Sequence, residues 1–193
     1  MHKSVLAVAR GMAVLGGLVL SALIVITCVS VIGGLLNKLA HGALDWLAPG
    51  LARWMLEAGV GPVFGDTEMV EVGVAFVIFC FLPMCQITGG HASVDIFTSK
   101  LPDRVNRLIQ LVVDLVFAVV LIVIAWRLFE GMQEKLRYNE TTYDLQFPIW
   151  WSYAASLSAA CVAAIVGVYV AGARMVEGLS GRVILPRHEG PDG

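Results

Sequence analysis

The residues able to do chemistry are few, and the most exposed to question is Asp114, the only charged residue between Arg107 and Arg127. A carboxylate in an apolar stretch can serve as a proton or cation site, or as a polar contact inside a protein. Gln110 lies on the same stripe one turn earlier, at the spacing that brings helical side chains together, and Arg107 or a neighbouring helix is a further partner. A single carboxylate makes a poor ion cage, so the polar contact is the expectation. A second group, Asp66, Thr67, Glu68 and Glu71, stands where an apolar run begins. Asp66 or Thr67 can cap the free N–H groups of a helix start, and the helix dipole favours carboxylates in its first turn. Glu68 and Glu71 share a face and are equally suited to meet a basic patch on a partner. His91 and Asp95, four apart after Gly89-Gly90, suit a hydrogen-bonded pair; a metal site would need more ligands.

The remaining titratable groups exclude several functions. No histidine lies within an apolar run, which removes the axial ligands of a membrane haem anchor. No G-x-S-x-G, P-loop or G-x-G-x-x-G is present. No run of like charges resembles a nucleic-acid footprint; Lys and Arg number 13 against 15 Asp and Glu. Cys28, Cys80, Cys85 and Cys161 all sit in apolar runs and read as small packing residues. No catalytic, cofactor or metal site is expected, and the chain does not read as an enzyme.

The elements that position these groups follow from hydropathy. Hydrophobic residues make up 58% of 193, and mean hydropathy is +0.81, a composition suited to lipid. A spanning helix needs about 20 apolar residues, because the hydrocarbon core is about 30 Å thick and each residue rises about 1.5 Å. Four segments qualify, near 12–34, 69–89, 108–128 and 149–172. The fold class expected is therefore an all-α integral membrane protein with four transmembrane helices. Residues 1–176 form the membrane domain and 177–193 a cytoplasmic tail, partly disordered, with Pro186, Gly190 and Pro191. The first apolar run is too long for a signal-peptide core and lacks an A-x-A-like site, so it is expected to be retained.

Eight Lys and Arg flank the termini and the middle connection (Lys3, Arg10, Lys100, Arg104, Arg107, Arg174, Arg182 and Arg187), against five in the two longer connections. The positive-inside rule then places both termini in the cytoplasm. The first connection has its own amphipathic pattern near 36–58. Leu36, Leu39, Ala40, Ala43, Leu44 and Leu47 oppose Asn37, Lys38, His41 and Asp45; after a break at Pro49-Gly50, Leu51, Trp54, Met55 and Ala58 oppose Arg53 and Glu57. Trp46 and Trp54 suit the headgroup region, so this segment is expected as an interfacial arm, lying on the outer membrane surface or packed on a partner protein.

The order of motifs then becomes informative: a first span, Glu68 and Glu71 opening the second, Gly89-Gly90-His91-Ala92-Ser93-Val94-Asp95-Ile96, Lys100-Leu101-Pro102, and Phe147-Pro148-Ile149-Trp150 opening the fourth. This resembles the small permease subunit, DctQ type, of tripartite ATP-independent periplasmic (TRAP) transporters, over about residues 66–172. Phe64-Gly65-Asp66-Thr67 stands where the family often has a tryptophan, and the first connection is longer than usual. The resemblance implies a multi-pass subunit of the bacterial inner membrane. It would scaffold a large permease and help dock a periplasmic solute-binding protein during sodium-driven secondary uptake of a small carboxylate-type solute. The sodium ions would belong to the large partner, and membrane lipids would be the other contact. Candidate partner-interface residues are Glu68, Glu71, His91, Asp95, Gln110, Asp114, Pro148 and Trp150, with Trp46 and Trp54 as membrane-interface anchors. The competing reading is an autonomous four-span, proton-coupled exporter using Asp114; the anchor of a respiratory enzyme is a third.

Overall fold

The computed structural model describes residues 2–88 and 103–180, and nearly all of them are helical. Four helices are long and apolar enough to cross a membrane. They are α1 (His2–Leu39), α4 (Asp66–Thr88), α5 (Asp103–Tyr138) and α6 (Trp150–Ser180). Between α1 and α4 the chain makes a π-helical turn (Ala40–Leu44), a short α2 (Asp45–Leu47) and α3 (Pro49–Glu57). Each expected span falls largely on one of the four long helices, residue 89 lying outside the described residues. With 38 and 36 residues, α1 and α5 reach about 57 and 54 Å, well beyond the hydrocarbon thickness.

The first pair packs antiparallel along a stripe of α1 that repeats every seven residues: Ala9, Gly16, Leu23 and Ser30 are all buried, and Asn37 is half-buried. A Cβ built on Gly16 would come 2.8 Å from Cys80 Cβ, and one on Gly73 would come 2.6 Å from the Leu23 side chain. Small residues at these points let the helices approach closely, which matters in lipid because the tails are as apolar as the side chains and only tight packing favours association. Pro83 is buried inside α4, which continues unbroken to Thr88.

The central helix is α6, which packs against both α4 and α5. Its sequence explains the double contact. Ala159, Ala163, Gly167 and Ala171 recur every four residues, with Ser156, Ala160 and Ala164 beside them, and all are buried. On the α5 side Leu121 inserts against Ala163 and Ala164. On the α4 side Val166 and Val170 meet Ile87 and, from α1, Ala9. The helices thus stand in a row, α1–α4–α6–α5, instead of a closed ring. Burial of the most apolar stretch is 50% in α6 and 28% in α4, but 11% in each of the two outer helices. Leu18, Val25, Val116 and Val123 are more than half exposed, an arrangement that only an apolar surrounding tolerates on this scale. On the bare side of α1 the hydroxyls of Ser21 and Thr27 donate to Gly17 O and Leu23 O, so no polar group is left unsatisfied there.

The arm begins differently from the expectation of a separate helix near residue 36. Helix α1 runs on through Leu39. The break falls at Ala48, whose φ of −150° and ψ of 71° are non-helical, and Pro49 opens α3. Within α3, Ala52 is buried and Met55 and Leu56 half-buried against the chain, whereas Leu51 and Trp54 point outward.

Candidate functional site

Two polar clusters stand at opposite ends of the row. At the arm end, α1 receives the segment that leads into α4. Ser30 is 3% exposed; its Oγ accepts the Val63 N–H at 3.1 Å and donates to Asp66 Oδ2 at 2.5 Å. One turn further, Gly33 meets backbone, for a Cβ there would lie 2.1 Å from Gly61 O. Asn37 Nδ2 then donates to Val60 O at 3.0 Å. Ser30, Gly33 and Asn37 therefore line one side of α1 and hold residues 60–66 flat against it. Asp66 also accepts the Thr67 N–H on Oδ1 at 2.7 Å, so it serves the start of α4 while it ties that start to α1.

Glu68 is used across the molecule. Its carboxylate accepts the N–H groups of Asp144 at 2.7 Å and Leu145 at 3.0 Å, in the connection between α5 and α6. Charge-assisted bonds from two consecutive amides to the two oxygens of one carboxylate fix a loop in place and direction. The loop is shaped to supply them. Asn139 and Gln146 take positive φ values of 49° and 54°, a conformation that asparagine tolerates better than most side chains. Thr142 N–H bonds Phe147 O, and Thr142 Oγ1 accepts the Phe147 N–H. Lys135 pairs with Glu140 at 2.5 Å. Gly65, at φ 72°, leaves room for Leu145, whose Cγ would lie 2.4 Å from any Cβ at that position.

At the other end, Arg174 of α6 closes on α5. Its Nε lies 2.7 Å from Asp114 Oδ2, as an ion pair without the alignment of a hydrogen bond, and its Nη1 donates to Gln110 Oε1 at 2.6 Å. The charged side chains are only 20% and 14% exposed. The stripe of Gln110 and Asp114 thus receives a neighbouring-helix partner, Arg174, as the polar-contact reading expects. Arg174 lies two residues beyond the expected fourth span, where it reads simply as a flanking cation.

The other candidates are dispersed. Glu71 is exposed one turn below Glu68. Pro148 faces Thr141 in an isolated bridge and its carbonyl accepts the Trp151 N–H at 3.1 Å, while the Trp150 and Trp151 rings stand 5.3 Å apart at the start of α6. Trp46 and Trp54 are 86% and 65% exposed on the outward side of the arm. His91, Asp95 and the Lys100-Leu101-Pro102 motif lie outside the described residues. Of the cysteines, Cys80 is buried in the α1–α4 seam, whereas Cys28 and Cys161 are exposed. Sequence reading did not single out Ser30, Gly33 or the buried Gln86, whose amide rests against Gly167, and it placed Asn37 only on the polar side of the arm. The seven-residue recurrence of Ala9, Gly16, Leu23, Ser30 and Asn37 was the available signal.

Together these features define a four-span membrane subunit that has polar locks and wide bare flanks. The family described as "Tripartite ATP-independent periplasmic transporters, DctQ component" matches residues 47–178, extending the resemblance beyond 66–172 at both ends. The chain belongs to this family of transporter components and is a small membrane subunit of the TRAP type. No curated protein and no solved structure matches it.

Proposed function

We propose that this subunit braces a large TRAP permease and helps dock a periplasmic solute-binding protein during sodium-driven uptake of a small carboxylate-type solute. It would do so in the bacterial inner membrane with both termini in the cytoplasm. The observation that carries the reading is the engagement of Asp114, the one carboxylate deep in a span, by Arg174 across the α5–α6 seam. A proton-coupled exporter needs a membrane carboxylate that can exchange its ligand, and Asp114 is already engaged by an arginine partner. The sodium sites and the solute path then belong to the large partner, and this chain performs no catalysis. The bare outer faces of α1 and α5 give the brace its surfaces toward partner and lipid. On the periplasmic side, the arm and the loop held by Glu68 present Trp46, Phe64 and Tyr143, each at least 69% exposed. Trp46 and Trp54 would anchor the arm at the headgroups.

The test is co-purification in mild detergent followed by reconstitution. The expected result is that a much larger membrane protein accompanies this chain and that uptake requires both, plus a binding protein. Transport by the isolated chain, abolished by Asp114→Asn, would overturn the proposal in favour of the exporter.

A further inference from the structure

Helix α5 carries an ion pair on its bare side. Arg127 Nη1 lies 2.9 Å from Glu130 Oε2, and Glu130 Oε1 accepts the Trp126 indole N–H at 2.7 Å. The two charged side chains are 77% and 50% exposed. With Ile122 and Val123 these residues line a shallow groove of about 320 Å³. The depth of the groove is set by the chain itself. Arg127 stands 20 residues beyond Arg107, about 30 Å along the helix and hence one hydrocarbon thickness away. Gly131 packs on Tyr153, in the first turn of α6. The groove therefore straddles the apolar boundary at the arm end, with Trp126 in its lining and Trp150 and Trp151 just outward of it, where an aromatic belt is expected.

Moving outward from the bilayer centre, the groove offers aliphatic side chains, an indole, a guanidinium and then a carboxylate. Arg127 and Glu130 are three residues apart, about 4.5 Å of axial rise. A zwitterionic aminophospholipid presents the complementary order over the same span: acyl chain, glycerol esters, phosphate, ammonium. Of its five N–H donors Arg127 directs one at Glu130, which leaves others for phosphate oxygens, and arginine forms strong charge-assisted pairs with phosphate. We propose that this groove holds one such lipid, with its phosphate on Arg127, its ammonium on Glu130 and an acyl chain along Ile122 and Val123. A second protein seated here would have to cover the ion pair with matching charges; the lipid brings both charges in the required order.

The experiment is native mass spectrometry of the full chain, delipidated and then supplied with phosphatidylethanolamine, phosphatidylglycerol or diacylglycerol, both alone and in the complex it forms with its large partner. Phosphatidylethanolamine should be retained about tenfold better than diacylglycerol, the effect of roughly one charge-assisted hydrogen bond. Arg127→Gln should lower it to the diacylglycerol level, and Glu130→Gln should abolish the preference over phosphatidylglycerol while leaving retention of both. Arg137→Gln, on an exposed position of the same helix, should change neither. Equal retention of all three lipids, or an unchanged Arg127→Gln, overturns the proposal. So does retention by the isolated chain that vanishes in the complex, which would make the groove a protein interface.

Discussion

The α1–α4 and α5–α6 pairs solve the same problem in different ways. Each is an antiparallel pair with an apolar seam and a polar lock, but the locks sit at opposite ends. In α1–α4 the lock is at the arm end and is made mostly of backbone: Gly33 against Gly61, the Ser30 hydroxyl to Val63 and Asp66, and the Asn37 amide to Val60. In α5–α6 it lies at the end of the chain termini and is made of side chains, Arg174 against Asp114 and Gln110. At Gly33 the first lock leaves no room for a side chain beside Gly61 O. The side-chain lock can stretch, rotate or admit water. Under the proposed bracing role, the arm end would stay oriented while any accommodation to a moving partner falls at the far end.

Substitutions can break this contrast, and the largest effect is expected at the backbone lock. Gly33→Ala places a methyl group inside contact distance of Gly61 O, and overpacking against a carbonyl that cannot turn away should cost about 3 kcal/mol. Thermal unfolding in detergent should show a clear fall, with protease cleavage appearing first near residues 58–64. The matched control is Gly17→Ala, where no atom lies within 4 Å of the new methyl group. It should leave stability unchanged or raise it by up to about 1 kcal/mol through helix propensity.

Arg174→Ala should come next, at about 2 kcal/mol. That value lies between the roughly 0.6–1.7 kcal/mol of interhelical hydrogen bonds in lipid and the 3–5 kcal/mol of a fully buried broken ion pair. Asp114→Asn should cost less than Arg174→Ala, because Arg174 keeps its hydrogen bond to Gln110 and a polar neighbour at residue 114. If Asp114→Asn is the more damaging, the charge itself matters and the lock is not merely structural. The charge-reversed double variant, Asp114→Arg with Arg174→Asp, should recover part of what either reversal loses, and a double-mutant cycle in detergent measures the coupling.

Glu68→Ala tests the connection between the pairs. The Asp144 and Leu145 amides should exchange hydrogen faster than in the parent, with the amides of α6 unaffected. Unchanged exchange would mean that Gly65 and the internal hydrogen bonds of the loop suffice without the carboxylate. The smallest effect is expected for Trp54→Ala, on an outward side chain of the arm. It should leave unfolding unchanged and reduce only the quenching of arm fluorescence by headgroup-labelled lipid.

Legibility followed the range of the forces involved. The spans and the helix start at Asp66 were visible, since each depends on neighbours within a turn or two. The motifs Glu68-Glu71 and Phe147-Pro148-Ile149-Trp150 were visible as motifs, but their relation was not. Glu68 looked equally suited to capping its own helix or meeting a partner, and the loop 76 residues away that it holds was not foreseen. Asp114 was recognisable as a group in need of company, yet Arg174 was counted with the flanking cations. The recurrence of Ala9, Gly16, Leu23, Ser30 and Asn37 was present in the letters, although small and polar residues in an apolar run do not mark a stripe by hydropathy.

The sequence by itself determined that this chain lives in lipid, that it crosses four times, and that its intramembrane charge is almost nil. Transfer of each side chain to hydrocarbon is a local, nearly additive free energy, and a run of 20 residues settles it without reference to the rest. Only the tertiary structure decided that the helices form a row with α6 at its centre, that Arg174 answers Asp114, and that Glu68 ties the two pairs together. Those outcomes depend on close approach between backbones far apart in the chain, permitted at Gly16, Gly33, Gly73 and Gly167 and at few other places. In a solvent as apolar as the helices, the fit at those points decides which helix lies beside which.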